Sequence, residues 1–466
     1  MKRYFTTTII LILWLGSFSL CAQIKLPSVI GDNMVLQQKS EVSVWGWGEP
    51  GNEIKVTGSW NNDTVKTKIN NHSFWIVKLN TPSAGGPYTV NLKSGDEITL
   101  KNVMIGEVWI CSGQSNMEWS ASHNLMNAEE EIRNANHPDI RLFHVKKTAS
   151  ETPQENCFAE WEECSPETMK TFSSVGYFFS RNLNKTLNIP IGIIEVAWGG
   201  TPAEVWVKND LVNSDPLLKT CAARLKTYDW WPNEPGVTYN SMIVPLLNFN
   251  IAGAIWYQGE GNAVTPESYR KLMGTLIQNW RADFGKDFPF YFVQIAPYAY
   301  GTESKAPIIR EMQMQTVSDI PGTGMVVVSD LIDDVKNIHP ANKQDVGKRL
   351  SNWALGENYG VKGHAYKHPQ YESMKIEKSK ARITFINVPG GLQVKGDKIN
   401  CFEIAGSDRK FVPASVKIDG KTVIVSAKEV KSPEAVRFSF SNDAIGNLFN
   451  TEGLPVAPFR TDNWEY

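Results

Sequence analysis

Three short segments of the sequence combine glycine with the small polar side chains that ester hydrolysis uses. They are residues 113–116 (GQSN), 199–201 (GGT) and 259–262 (GEGN). A serine hydroxyl can attack an acyl carbon, and backbone N–H groups of glycine turns together with an asparagine amide can hold the oxyanion that forms. One such turn alone usually only reverses the chain. The three together predict that Ser115 is a nucleophile.

A serine nucleophile needs a base, and His339 stands out among the seven histidines. It directly precedes Pro340, and proline at the first position of a helix fixes where that helix begins. The helix predicted for residues 340–355 would therefore hold His339 at its entrance, near the turns described above. The alternative interpretation is that His339 only caps this helix.

Each candidate segment follows or contains a buried strand of the predicted sheet. The strands lie within residues 107–112 (EVWICS), 189–200 (IPIGIIEVAWGG) and 251–262 (IAGAIWYQGEGN), and amphipathic helices separate them. Near-continuous apolar strands that alternate with helices predict a parallel sheet covered on both faces. In such α/β sheets the functional residues gather outside the carboxyl ends of the strands. We therefore expect the three turns to meet at one edge.

The chain divides into regions of different texture. Residues 23–103 contain short alternating segments between Gly, Pro and Asn turns, which predict an N-terminal β-sandwich. Residues 104–370 form the predicted catalytic α/β domain, and residues 371–466 return to β segments and predict a C-terminal β domain, also of the sandwich type. The sequence thus predicts an α/β centre with a β domain on each side.

The first 22 residues have the pattern of a signal peptide. Lys2 and Arg3 precede an apolar run over residues 9–20, and Ala22 is a small residue at the expected cleavage site. A lipid anchor on Cys21 is the weaker alternative, because Leu20 is bulky. The apolar run is too short to span a bilayer comfortably. We expect an exported protein, periplasmic or secreted, without a membrane span.

Composition excludes some functions. The 466 residues are 42% hydrophobic and 21% charged with a net charge of −2, which indicates a globular protein without the basic surface that nucleic acids need. Cleavage after Ala22 would leave five of the six cysteines, none with zinc-ligand spacing. We predict no metal and no organic cofactor. A disulfide between Cys157 and Cys164 stays open at this point.

With these motifs the chain resembles the sialate O-acetylesterase group of the SGNH hydrolases. The segments that carry the resemblance are residues 113–119 (GQSNMEW), 195–206 (EVAWGGTPAEVW), 239–247 (YNSMIVPLL), 255–263 (IWYQGEGNA), 338–355 (IHPANKQDVGKRLSNWAL) and 453–464 (GLPVAPFRTDNW). They spread over nearly the whole mature chain. The resemblance implies an SGNH-type, flavodoxin-like three-layer catalytic domain that hydrolyses acetyl esters on sugars.

The resemblance also implies a role for individual residues. Ser115 would be the nucleophile and His339 the base. The oxyanion hole would consist of the Ser115 amide, Gly199 or Gly200, and Asn262. Gln114 and Arg310 are the candidates for binding substrate.

Arg310 has two interpretations. Its guanidinium would suit the carboxylate of a sialic acid, because arginine binds carboxylates with two parallel hydrogen bonds. Equally, Arg310 could be a structural ion-pair partner.

The acid that orients the histidine is the least determined part of the site. SGNH hydrolases typically carry an aspartate three residues before the histidine, and relatives in this group often have Asp-Ile-His. The corresponding positions here are Lys336 and Asn337, and Asn337 cannot hold a negative charge. Asp334 or Asp333 could reach the imidazole if the loop folds back, and so could Glu260. We favour Asp334 as the acid, with Glu260 as a brace or substitute. Without any acid, a weaker Ser–His dyad would remain.

The leading hypothesis is a carbohydrate O-acetylesterase whose substrate is O-acetylated sialic acid. An alternative in the same class is an esterase that deacetylates xylan or another hemicellulose. A hypothesis of a different class is a glycan-binding protein on an esterase scaffold that has lost its activity, because the expected aspartate before the histidine is missing.

Overall fold

The structure is a computed structural model that describes residues 23–466, so the predicted signal peptide lies outside the described residues. Strands β1–β7 span Val35–Gln37, Glu41–Trp47, Glu53–Gly58, Thr64–Lys68, Phe74–Asn80, Gly85–Ser94 and Asp96–Gly113. Strands β8–β13 span His137–His144, Trp161–Cys164, Ile191–Ala197, Gly253–Tyr257, Phe290–Val293 and Thr323–Val326. Strands β14–β23 span Gln370–Glu377, Lys380–Ile386, Leu392–Val394, Phe402–Ala405, Val412–Pro413, Ser415–Asp419, Thr422–Ser426, Ala435–Phe438, Leu448–Asn450 and Phe459–Arg460. Helices α1–α9 span Ser115–Glu118, Ala128–Arg133, Pro166–Thr171, Ser174–Leu187, Asn209–Ser214, Pro216–Ala222, Tyr269–Phe284, Ala306–Asp319 and Lys343–Trp353.

A parallel sheet forms the centre of the molecule. Its strand order is β13-β12-β11-β7-β10-β8-β9, and only the edge strand β9 runs antiparallel to its neighbour. Strands β10, β11 and β12 are buried at every position, as their continuous apolar sequences predict for strands covered on both faces. Strands β8 to β10 lie on one side of β7 and strands β11 to β13 on the other, so the connections change direction at β7. The crevice outside the carboxyl end of β7 is therefore where a site is expected.

Helices cover both faces of this sheet. On one face α4 and α9 pack together over side chains such as Trp109 and Ile255. On the other face α7 and α8 pack over Ile110 and Trp256. Alternate residues of a strand point to opposite faces, so each central strand contributes to both cores. The predicted α/β centre is confirmed as a mixed α/β fold with additional β-sheets.

Strand β7 joins the N-terminal β region to the central sheet. Its first part pairs with β6 and β1, and its last part, from Glu107 to Gly113, pairs with β10 and β11. The predicted domain boundary at residues 103/104 therefore falls inside one continuous strand. The N-terminal region also shares its apolar core with the α7 and α8 face of the sheet.

The C-terminal region has its own sheets and its own core. Its sheets have the orders β14-β15-β20-β19 and β18-β17-β21-β23, with β16 and β22 as a separate pair. All five cysteines in the described part of the chain are free, so Cys157 and Cys164 do not form a disulfide. Among residues 23–466, each helix is too short or too polar to cross a bilayer.

Candidate active site

The structure brings Ser115 and His339 into contact. Ser115 begins α1, two residues after β7 ends at Gly113, and its Oγ lies 2.8 Å from His339 Nε2. Gly113 has φ +138°, and a Cβ atom there would lie 2.2 Å from the carbonyl oxygen of Tyr257 on β11. Only glycine allows the strand end to pass its neighbour this closely while the serine turns outward.

An aromatic ring holds the imidazole of His339. Trp119 stacks on it with ring centroids 4.0 Å apart and planes 16° from parallel. The backbone N–H of His339 donates to Oδ1 of Asn337 at 2.9 Å. Burial, and to a smaller extent the positive charges of Lys343 and His123, lower the pKa of His339 to about 4. A neutral imidazole at pH 7 can accept a proton from a serine hydroxyl.

No carboxylate hydrogen-bonds to His339 within the part of the chain that the structure describes. Asp333 and Asp334 are exposed, and Oδ1 of Asp334 accepts the backbone N–H of Lys336 at 2.8 Å. The loop therefore does not fold back as we expected for Asp334. Oε1 of Glu260 accepts a hydrogen bond from Nδ2 of Asn116. The placement of the side chains favours the interpretation of Glu260 as a brace.

A buried polar chain that sequence reasoning missed runs beneath the serine. Asn116 donates from Nδ2 to Oε1 of Glu260 at 2.6 Å and to the carbonyl oxygen of Ile338 at 3.0 Å. Its Oδ1 accepts Nζ of Lys343 at 2.6 Å. The Lys343 residue is 1% exposed. Burial lowers its pKa to about 7, and burial raises the pKa of Glu260.

The sequence did hold a signal for Lys343. On α9 the buried residues Lys343, Val346, Gly347 and Leu350 follow helical spacing. A lysine on the apolar side of an amphipathic helix needs a buried partner, because an isolated charge in a core is costly. The segment just after the histidine could thus have been recognised as part of the site.

The two glycines proposed for the oxyanion hole differ in the structure. The N–H of Gly199 donates to Oε2 of Glu118 at 2.6 Å, while the other oxygen of Glu118 pairs with Lys147. Gly200 has φ +84°. The N–H groups of Gly200 and Ser115 have no acceptor among the described residues. The Gly199 amide thus anchors the loop through Glu118.

Asn262 is fixed in place by several hydrogen bonds. Its Oδ1 accepts the N–H of Ala203 at 2.9 Å and Nε2 of Gln258 at 2.8 Å, and its Nδ2 donates to Oε2 of Glu204 at 2.8 Å. Burial raises the pKa of Glu204 to about 7. Nδ2 carries two hydrogens, so one remains for a further acceptor. Asn262 is fully buried, and only this amide edge can take part.

The two candidates for substrate binding, Gln114 and Arg310, are both buried. Gln114 is buried, and its Oε1 accepts the N–H of Gly261 at 3.1 Å, which ties the serine turn to the GEGN turn. Arg310 is 1% exposed and donates to the carbonyl oxygens of Ser441 and Asn442 in the C-terminal region. The structure does not bring Arg310 to the site. Arg310 has a structural role in contact with backbone carbonyl groups, and no ion pair of Arg310 is found among residues 23–466.

Comparisons with known proteins show which family the chain resembles. Residues 105–355 match the family described as carbohydrate esterase, sialic acid-specific acetylesterase. The sialate O-acetylesterases of Homo sapiens and Pongo abelii are each 32% identical to the chain over 454 residues, which cover 87% of this chain and 85% of each relative. The crystal structure of a carbohydrate acetylesterase from Xanthomonas citri has 34% identity and a TM-score of 0.87, and the match covers 95% of this chain and 100% of that one.

Proposed function

The chain belongs to the sialic acid-specific acetylesterase family of carbohydrate esterases, and from this we propose that it removes O-acetyl groups from sugars through an acetyl-enzyme on Ser115. It is a carboxylic ester hydrolase. The observation that carries the mechanism is the 2.8 Å contact between Ser115 Oγ and His339 Nε2. A hydroxyl in contact with a neutral imidazole is the arrangement that nucleophilic catalysis requires.

The reaction proceeds in two halves. Ser115 Oγ bonds to the acetyl carbon while its proton moves to His339 Nε2. The tetrahedral oxyanion accepts hydrogen bonds from the backbone N–H groups of Ser115 and Gly200 and from the side-chain amide of Asn262. The carbon–oxygen bond to the sugar then breaks, and the sugar oxygen takes the proton from His339. Water, deprotonated by the same imidazole, attacks the acetyl-serine. The bond from the acyl carbon to Ser115 Oγ then breaks, Oγ takes the proton back from His339, and acetate is released.

His339 works in this proposal without a carboxylate partner. Stacking on Trp119 orients the ring, and the backbone N–H of His339, which donates to Oδ1 of Asn337, holds the loop. Glu260 acts as the brace that holds Asn116, and Asp334 has no part in proton transfer. Activity is therefore weaker than an acid-assisted triad would give, because no negative charge stabilises the imidazolium.

We propose O-acetylated sialic acid as the substrate, since the matched family is described as sialic acid-specific and the named relatives are sialate O-acetylesterases. Acetylated xylan is the competing substrate. The signal-peptide pattern of residues 1–22 supports export to the periplasm or the medium.

Acetate release from O-acetylated sialic acid and from acetylated xylan tests the proposal. We expect turnover of the sialic acid ester by the purified protein and none by Ser115→Ala, with both proteins equally folded by circular dichroism. A folded wild-type protein that releases no acetate from either substrate would support a glycan-binding role instead. Preference for xylan would correct the substrate and keep the mechanism.

A further inference from the structure

Three aromatic rings stand together on the surface beside the proposed oxyanion hole. We call Tyr228, Trp230 and Trp231 the aromatic platform. Their ring centroids are 4.4 Å apart for Tyr228 and Trp231, 5.7 Å for Trp230 and Trp231, and 6.0 Å for Tyr228 and Trp230. Trp230 is 66% exposed and Tyr228 43%. Clustered exposed aromatics are unusual on a monomer surface and mark binding sites.

The platform is attached to the loop that carries Gly200. A Cβ atom on Gly200 would lie 2.2 Å from the Trp231 ring, so this ring rests directly on the glycine backbone. Trp198, at the start of the same loop, donates from Nε1 to the carbonyl oxygen of Trp230 at 3.1 Å. A Cβ atom on Gly199 would lie 3.3 Å from Cβ of Ser115. Trp231 thus packs on Gly200, and the neighbouring Gly199 approaches Ser115, so the aromatic platform lies close to the reacting hydroxyl.

A cavity of about 470 Å³ opens at the platform. It is bounded by Gly200, Tyr228, Trp231, Asn233 and Gly261, among others. Its volume falls within the roughly 300–1,000 Å³ of small-molecule sites. Because the cavity reaches both glycine turns of the site, a molecule bound in it would lie next to the acetyl-transfer position.

The cavity wall also carries opposite charges. Lys226 and Glu303 both line it, with Nζ and Oε2 3.7 Å apart, and both side chains are largely exposed. At such exposure the ion pair itself contributes little stability. The charges therefore remain available to polar groups of a bound molecule.

We propose that the aromatic platform is a subsite that stacks against the pyranose ring of the acetylated substrate. This inference rests on the proposed function and identifies where the sugar binds. A pyranose has an apolar C–H face and a polar rim, and the electron-rich face of an indole attracts the C–H face. The polar rim would meet Asn233 and Lys226.

The experiment compares Trp230→Ala with the wild type on two esters. One is the O-acetylated sugar that the wild type hydrolyses, and the other is ethyl acetate, which is too small to reach the platform. We expect kcat/KM for the sugar ester to fall on the order of tenfold, mainly through KM, and kcat/KM for ethyl acetate to change less than about twofold. Phe158→Ala is the matched control, because Phe158 is also 66% exposed and is not part of the aromatic platform.

Equal losses on both esters would overturn the subsite, since Trp230 would then only support the oxyanion loop. Unchanged kinetics on both esters would overturn it as well. A binding measurement separates this failure from failure of the proposed function. Ser115→Ala, alone and combined with Trp230→Ala, is titrated with the deacetylated sugar by calorimetry. Binding that Trp230→Ala weakens supports the subsite even if no ester is hydrolysed, and binding that it leaves unchanged contradicts it.

Discussion

Lys343 donates from Nζ to Oδ1 of Asn116, the residue directly after the proposed nucleophile, at 2.6 Å. Asn116 in turn holds Glu260 and the carbonyl group next to His339. One amide thus connects the serine turn, the GEGN turn and the histidine loop. Because each of its polar atoms is buried and hydrogen-bonded, its geometry is tightly determined. This chain of hydrogen bonds gives the first prediction.

Lys343→Met removes the buried ammonium and keeps the apolar stem. We expect kcat to fall about tenfold or more, because Asn116 loses the partner that orients it. We also expect the acidic limb of the kcat/KM profile to move to higher pH, since the charge of Lys343 lowers the pKa of His339. Lys348→Met, on the exposed side of the same helix, is the control and should change neither quantity. A lower kcat without any movement of the limb would mean a purely structural role.

Glu260 and Asp334 are compared through three variants. Asp334→Asn should retain activity within about twofold, because its carboxylate only accepts a backbone N–H of its own loop. Glu260→Gln keeps an acceptor for Asn116, and we expect a loss below about tenfold. Glu260→Leu removes that acceptor, and we expect both a hundredfold-scale loss of kcat and a lower Tm.

These expectations rest on a brace that needs a hydrogen bond and no charge. If Glu260→Gln alone lowered kcat by about 10⁴, the carboxylate would be the orienting acid. The same result for Asp334→Asn would assign that role to Asp334. Circular dichroism shows whether each variant stays folded.

The pH profile of kcat/KM reports on His339 in the free enzyme. The imidazole must be neutral to act as a base, and its pKa is lowered from 6.5 to about 4. Activity should therefore persist as the pH falls through 6.5 and decline only near pH 4. Between these two pH values the unfolded chain binds a proton at His339 that the folded protein does not bind. The free energy of unfolding should therefore decrease as the pH falls from 6.5 to about 4. An acidic limb near pH 7 would show that a carboxylate reaches the imidazole.

Gly200→Ala tests the oxyanion loop. Gly200 has φ +84°, and an added Cβ would lie 2.2 Å from the Trp231 ring, so the peptide must shift. We expect kcat to fall on the order of a hundredfold, the cost of losing one oxyanion donor. Gly285→Ala is the control, with φ +64° and no atom within 4 Å of the added Cβ. It should cost about 1 kcal/mol of stability and leave kcat unchanged. Equal kcat values in both variants would exclude Gly200 from the oxyanion hole.

The sequence predicted the parts of the site that depend on backbone topology. Ser115 and His339 could be placed at one edge because parallel strands deliver their carboxyl ends to the same side. It could not predict which glycine keeps a free N–H, because that depends on how Glu118 reaches across from another turn. The burial of Arg310 also depends on the C-terminal region that packs over α8. Side-chain partners that are distant in sequence leave no periodic pattern.

The continuity of β7 has a consequence for cooperativity. This strand pairs with β6 and β1 up to Ile105 and Gly106, and with β10 and β11 from there to Gly113. Because both halves belong to one continuous strand, separating its N-terminal half from β6 and β1 also weakens the pairing of its C-terminal half. We therefore expect the amide hydrogens of the two halves to exchange with solvent as one unit. The N-terminal β region is therefore coupled to the α/β sheet through the strand that ends at Gly113, two residues before Ser115. A truncated protein that keeps only the α/β part would begin in the middle of β7.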